Sequence, residues 1–179
     1  PDGTGKVADE LAESRPQQIE VIHREKKLGL GTAYVAGFSQ ALDNGADFVI
    51  EMDADFSHSP EYIHKFLEKI KNCDVVVGSR YMPQGEVDPH WSLPRKLLSW
   101  MGNLYVRLVM GLKVRDTTAG FKCFRCEVLK GIELAGIQSN GYAFQVEMAY
   151  KCQRKGYRVA EIPIAFKERA CGESKMSLR

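Results

Sequence analysis

An α/β layered domain with a mainly parallel sheet is the fold class this sequence predicts, and three observations predict it. Short apolar runs alternate with stretches of helical periodicity along most of the 179 residues. Val75-Val76-Val77 is a continuous apolar run, as a strand covered on both faces requires. Phe48-Val49-Ile50-Glu51-Met52 leads straight into Asp53-Ala54-Asp55, which puts carboxylates just past a strand end, where open sheets collect ligands.

The elements follow in order. Asp2-Gly3-Thr4 supplies turn and cap chemistry ahead of a first helix through Val7, Ala8 and Leu11. Ile19-Glu20-Val21-Ile22 reads as a short buried strand. Gly29-Leu30-Gly31 punctuates the entry to a second helix with Ala33, Ala36, Gly37 and Ala41 on a small-residue face, and Asn44-Gly45 closes it. After the strand at Phe48, Pro60 opens a helix in which Ile63, Phe66, Leu67 and Ile70 recur at helical spacing. Residues 81–94, rich in Pro, Gly and polar groups, read as a loop, and a long helix is expected from about 94 to 110. Further strands are expected at 121–124 and 159–164, with helices near 128–134 and 143–155. Pro163 in the last run argues for an edge strand.

Composition narrows the function. The formal net charge of +2, with acidic and basic residues interspersed, argues against a nucleic-acid binder driven by bulk charge. The five cysteines are an odd number without the density of a small disulfide scaffold, which fits a reducing compartment better than a disulfide framework; the expected location is cytoplasmic. No apolar run approaches the ~20 residues of a membrane span. The chain opens on Pro1-Asp2-Gly3-Thr4, a turn sequence, and the expectation is a segment of a longer protein.

Asp53 and Asp55 sit at i and i+2, on one face if strand geometry persists, and carboxylate oxygens suit hard cations such as Mg²⁺ or Mn²⁺ together with substrate phosphates. The plain alternative is a surface turn. Arg80 in Gly78-Ser79-Arg80-Tyr81 follows a buried strand and has the shape for bidentate phosphate binding, or it tethers a loop. Arg95 and Ser99 share a face of the long helix, a phosphate cradle or a solvated surface. Asp116, in the loop ahead of Phe121, either caps that loop or acts at a reacting centre. The cationic run from Phe166 to Ser177 folds over a diphosphate or trails as a terminus. His58 stands near the aspartates and can support them from behind. Cys123 and Cys126 have the spacing of a metal pair without a second pair, and burial is the better reading.

Taken in order, these motifs resemble a known family. Pro1-Asp2-Gly3-Thr4, His23-Arg24, Lys27-Leu28-Gly29-Leu30-Gly31 with Ala33-Tyr34, and Met52-Asp53-Ala54-Asp55-Phe56-Ser57-His58 are similar to the polyprenol (dolichol) phosphate mannosyltransferases, family 2 glycosyltransferases of the GT-A fold. The likeness continues through Gly78-Ser79-Arg80-Tyr81, Asp116-Thr117-Thr118-Ala119-Gly120-Phe121, Gly141-Tyr142-Ala143-Phe144-Gln145-Val146-Glu147 and the run Arg169, Gly172, Ser174-Lys175-Met176-Ser177, covering nearly the whole chain.

The resemblance implies a Rossmann-like nucleotide-diphospho-sugar transferase spanning 1–179 as one domain, N-terminally truncated by its first strand and helix. It implies inverting transfer of mannose from GDP-mannose to a polyprenyl or dolichyl phosphate, with Mg²⁺ or Mn²⁺. Asp53 and Asp55 would hold the metal, with Ser57 where relatives carry a further contact. Arg80, Arg95 and Ser99 would take the acceptor phosphate. Arg169 and Lys175 would meet the donor diphosphate, and Asp116 and Gln145 would line the sugar pocket. Asp55, Asp116 and Arg169 are the expected catalytic groups. A lipid acceptor implies a peripheral place on the cytoplasmic face of a membrane, with anchoring supplied by a subunit or domain outside this chain. Trp91, Trp100, Leu97, Leu98 and Leu104 are candidate lipid contacts, against the alternative of a helix packed on its own core. Two competing readings keep parts of this picture: the same fold transferring glucose or N-acetylglucosamine, and a non-catalytic module that binds lipid phosphate.

Overall fold

The computed structural model of the chain describes residues 3–167. Six helices and four strands are present there: α1 (Thr4–Ser14), α2 (Leu30–Asp43), β1 (Phe48–Glu51), α3 (Ile63–Lys69), β2 (Val75–Ser79), α4 (Leu93–Met110), β3 (Lys122–Arg125), α5 (Cys126–Gly131), α6 (Tyr142–Arg154) and β4 (Val159–Pro163). Short 3₁₀ turns flank α3 and precede the loop to α6.

The strands form one sheet in the order β1-β3-β2-β4. β1, β2 and β4 run the same way, which is the mainly parallel orientation the sequence predicts. β3 runs against them, so the β1–β3 and β3–β2 ladders are antiparallel and only β2–β4 is a parallel ladder. β4 is an edge strand, and Pro163 ends it, where a missing N–H costs least. The strand expected at Ile19–Ile22 is absent: no described strand pairs with this segment, and Ile22 is 45% exposed. A short strand-like segment without a hydrogen-bonding neighbour has no ladder to join.

Side-chain alternation assigns the two faces. Val75 and Val77 of β2 and Phe124 of β3 pack with Phe38 of α2 and with Phe144 and Met148 of α6. Val76 and Cys123 point the other way, onto Phe66, Ile70, Phe121, Ile162 and Ile164. The sheet is therefore covered on both sides, which is why all of β2 is buried. Glycine is needed where α2 enters: a Cβ on Gly31 would come within 2.5 Å of the Ser139 carbonyl oxygen, so a larger residue would push α2 away from the loop ahead of α6. The four described cysteines are buried and unpaired, as expected of Cys123 and Cys126, and burial pushes the Cys123 thiol up to about 12.

One pair on the first face is charged. Glu51 and Lys122 stand opposite each other in the β1–β3 register, and Lys122 Nζ lies 3.4 Å from Glu51 Oε1 with both side chains almost fully buried. Lys122 also donates to Gln145 Oε1 on α6. Burial pushes the Glu51 carboxyl up to about 7, with Lys122 pulling the other way.

Topology positions the site. Because β1 and β2 share a direction, their carboxyl ends, and the residues Asp53 and Arg80 that follow, reach the same edge of the sheet. Because β3 is reversed, the loop carrying Asp116, Thr118 and Gly120 arrives at that same edge from its amino end.

Candidate active site

A cavity of about 560 Å³ opens at this edge, between the strand ends, α4 and the start of α6. Asp53, Arg80, Arg95, Ser99 and Gln145, all singled out from the sequence, line it together. Its size suits a small-molecule pocket.

On the acidic side, β1 ends at Glu51 and the chain turns away from strand geometry at once. Phe56 takes a left-handed conformation (φ 65°) with its ring 78% exposed. Asp55 is half-buried and accepts the Ser57 N–H at 3.0 Å, closing the turn. Asp53 is fixed from two directions. The Tyr34 hydroxyl donates to its Oδ1 at 3.1 Å, and its own N–H donates to His58 Nδ1 at 3.2 Å. Burial, with Glu51 and Asp53 adding to it, pushes the Tyr34 phenol well above its ordinary value, so it stays a donor. His58 is 5% exposed and wedged against Phe121 and Phe166. Burial lowers its pKa, with Asp53 and Asp55 opposing, which agrees with a neutral ring accepting at Nδ1.

On the cationic side, Arg80 meets Asp116 in a two-pronged ion pair: Nε to Oδ2 at 2.7 Å and an Nη to Oδ1 at 2.8 Å. The Arg80 backbone N–H donates to the same carboxylate at 3.0 Å, and its guanidinium donates to Thr118 Oγ1 at 2.9 Å. The Asp116 side chain is 0% exposed and the Arg80 side chain 11%. The Asp116 loop is itself held by Glu161 of β4, whose carboxylate accepts the N–H groups of Arg115 and Asp116 at 3.0 and 3.1 Å. Asp116 therefore stands behind Arg80 and is not among the residues lining the cavity. The Arg95 guanidinium stacks 4.0 Å from the Trp91 ring centre, and Ser99 shares a 2.7 Å hydrogen bond with the Tyr81 hydroxyl.

Trp91 is a correction to the lipid-contact reading. It is 7% exposed, held between Arg95 and Phe166, whereas Trp100 and Leu97 on the outer side of α4 are 50% and 56% exposed. Arg169 and Lys175 lie outside the described residues.

Asn103 is the main site residue that the sequence reading missed. It is 4% exposed in the middle of α4, and its Oδ1 accepts both the Thr117 N–H and the Thr117 hydroxyl at 2.8 Å. Its Nδ2 donates to the Ser99 carbonyl at 3.2 Å. The signal was present: Asn103 continues the stripe of Arg95 and Ser99 at steps of four. It latches the Arg95 helix to the loop that holds Arg80. Asn103→Leu, similar in size, leaves two buried Thr117 donors without an acceptor. The expected loss is about 2–3 kcal/mol, read as a lower urea midpoint at unchanged slope. A midpoint equal to wild type would show that the latch is not needed.

Asp53, Asp55 and Ser57 offer only oxygen, the ligand chemistry of Mg²⁺ and Mn²⁺. Gly120 leaves the space in front of Asp53 open, since a Cβ there would sit 3.7 Å from Asp53 Oδ2 and 3.8 Å from the Tyr34 hydroxyl. The Ser57 hydroxyl is buried and finds no hydrogen-bond partner among the described residues. In ligand chemistry these oxygens match a hard divalent cation, but of the three only Asp53 lines the cavity, and among the described residues no group of three His, Cys, Asp or Glu converges as a metal site.

Asp53 beyond the end of β1 and Arg95 on α4 thus line one cavity at the edge of an α/β sheet covered on both faces. Residues 1–132 match the model of Glycosyl transferase family 2, and the chain belongs to that family, the class of the glycosyltransferases. It is 48% identical over 177 residues to an undecaprenyl-phosphate mannosyltransferase of Micrococcus luteus, covering 99% of this chain and 72% of that protein. It is 44% identical over 178 residues to a polyprenol monophosphomannose synthase of Mycolicibacterium smegmatis, covering 99% and 67%. Among solved structures it is similar to glucosyl-3-phosphoglycerate synthase of Mycobacterium tuberculosis in complex with phosphoglyceric acid, with TM-score 0.54, 14% identity, and coverage of 91% of this chain and 52% of that one. A further mycobacterial protein gives TM-score 0.56 at 15% identity, covering 86% and 47%. The chain thus spans about half the length of these solved structures, and the likeness to them establishes the GT-A fold.

Proposed function

We propose that the complete protein transfers mannose from GDP-mannose to a polyprenyl phosphate with inversion at the sugar, giving polyprenyl-phosphate-mannose. The observation that carries this reading is the single cavity lined by Asp53 on one side and by Arg80, Arg95 and Ser99 on the other. The names of the two mannosyl-transferring relatives support the sugar and the acceptor.

In this reading Arg80 and Arg95 hold the acceptor phosphate. A phosphate monoester is anionic near neutral pH, so its oxygen needs aim more than deprotonation. That oxygen forms the new bond to the anomeric carbon as the bond to the donor diphosphate breaks, and the electron pair leaves with GDP. An α-linked donor therefore yields a β-linked product. Asp53 and Asp55, with Ser57 beside them, would hold Mg²⁺ or Mn²⁺, which supplies charge stabilisation to the leaving diphosphate. Tyr34 and His58 fix where Asp53 presents its oxygens. Asp116 acts through Arg80 as a positioning residue, and Gln145, pinned by Lys122, contributes to the sugar end of the cavity. Arg169 and Lys175 are proposed to meet the donor diphosphate.

The acceptor places the protein at a membrane surface, proposed here as peripheral attachment on the cytoplasmic face, alone or through a partner. None of the described helices is long and apolar enough to cross a membrane. The outer side of α4 is apolar and exposed at Leu93, Leu97, Trp100, Met101 and Leu108.

The test is a transfer assay on the full-length protein with radiolabelled GDP-mannose, UDP-glucose and UDP-N-acetylglucosamine, polyprenyl phosphate, and Mg²⁺ or a chelator. Label is expected in lipid from GDP-mannose alone and only with the cation. Transfer from a uridine sugar would replace the donor assignment, and no transfer from any donor would leave a lipid-phosphate binding module.

A further inference from the structure

A second hollow, about 530 Å³, lies between the carboxyl-terminal half of α4 and α6. Val106, Val109 and Met110 form one wall, and Tyr142, Ala143 and Val146 the other. It adjoins the first cavity: Val106, Thr118 and Tyr142 line both. The junction falls at the acceptor end, where Thr118 Oγ1 receives the 2.9 Å hydrogen bond from Arg80. From there Val106, Val109 and Met110 carry the apolar wall on along α4, about 6 Å of its axis.

The chemistry of this trough is one-sided. Glu147 is the only charged residue lining it, and that carboxylate already accepts the Ser139 N–H at 3.0 Å and faces Lys151 at 3.8 Å. A nucleotide or a sugar would lose its hydrogen bonds to water there and find few replacements. Hydrocarbon loses nothing. Yet the walls are open to solvent: Tyr105 is 67%, Val109 63% and Tyr142 56% exposed, a contiguous apolar surface of the kind that marks a binding site.

We propose that this trough seats the first isoprene units of the acceptor, so that one substrate lies across both hollows, its phosphate at Arg80 and Arg95 and its chain between α4 and α6. The proposal rests on the polyprenyl phosphate reading above. It makes α4 and α6 a ruler for the acceptor's proximal chain, independent of any contact with the bilayer.

The test uses the full-length protein and two water-soluble acceptors, isopentenyl phosphate and farnesyl phosphate, without vesicles. Wild-type protein first establishes transfer to both; transfer to neither would overturn the acceptor reading itself, and this proposal with it. Ala143→Phe fills the trough from an exposed helix position, and Val109→Gln makes its wall polar. Each should raise the KM for farnesyl phosphate about tenfold while leaving that for isopentenyl phosphate unchanged. An unchanged farnesyl phosphate KM would show that something other than the acceptor covers the trough. An equal rise for both acceptors would show a general distortion. Either result overturns the proposal.

Discussion

Asp53→Asn is expected to lower turnover at least about 10²–10³-fold, because it removes, while changing no shape, the charge that the proposed diphosphate-bound cation would need. The substitution keeps an amide oxygen at Oδ1 for the Tyr34 hydroxyl and leaves the backbone bond to His58 untouched. Thermal unfolding should therefore stay at the wild-type temperature. The cation concentration needed for half-maximal rate should rise. This separates Asp53 from a merely structural turn residue: a turn residue would lose stability and keep its metal dependence. Undiminished turnover in Asp53→Asn would remove the metal-site assignment for the whole Asp53-Ala54-Asp55 turn.

The second large effect belongs to the Arg80–Asp116 pair. Arg80→Met strands a carboxylate that is fully buried, and breaking a buried pair from one side costs about 3–5 kcal/mol. Adding Asp116→Leu removes the stranded charge, so the double variant should recover most of that stability in urea unfolding. It should recover none of the transfer activity if, as proposed, the Arg80 guanidinium holds the acceptor phosphate. Arg80→Lys is not a mild change either, because a lysine cannot reproduce the two-pronged bond to Asp116 and the bond to Thr118 together. A single variant that unfolds like wild type would mean that the pair contributes nothing to the fold. A double variant with wild-type turnover would take Arg80 out of the acceptor site.

Much of this arrangement was legible in the sequence, for reasons that are local. The β2 triplet of valines, the Pro60 helix start, the Asn44-Gly45 stop and the long helix ending at Gly111 each follow from residue chemistry within a few positions. Asp53, Arg80, Arg95 and Ser99 were named individually, and the cavity brings them together. What the sequence did not show depends on partners distant in the chain. The reversed direction of β3 follows from its pairing with β1 and β2, not from the residues of β3. Ile19–Ile22 has strand composition, but no described neighbour to pair with. Trp91 looked like a membrane anchor until Arg95 and Phe166 were seen to enclose it. Asp116 looked like a pocket residue, and its 36-residue separation from Arg80 hid the ion pair that withdraws it from the wall.

The same dependence explains the polar groups behind the site. Glu161, Asn103 and Lys122 are each unremarkable in their own segments. Each becomes significant through what it fixes: Glu161 holds the Asp116 backbone behind Arg80, Asn103 holds Thr117 beside it, and Lys122 holds Gln145 of the cavity wall. A cavity wall held this way is preorganised, the condition under which fixed charges stabilise a transition state most.

The central proposal is that the donor's cation and the acceptor's phosphate meet in the cavity between Asp53 and Arg80. Phosphorus NMR of farnesyl phosphate bound to the full-length protein, with Mn²⁺ and GDP present, measures this directly. Strong paramagnetic broadening of the acceptor phosphorus is predicted for wild type, and its loss in Asp53→Asn although the acceptor still binds. A bound acceptor whose resonance stays sharp beside Mn²⁺ in the wild-type protein would contradict the account.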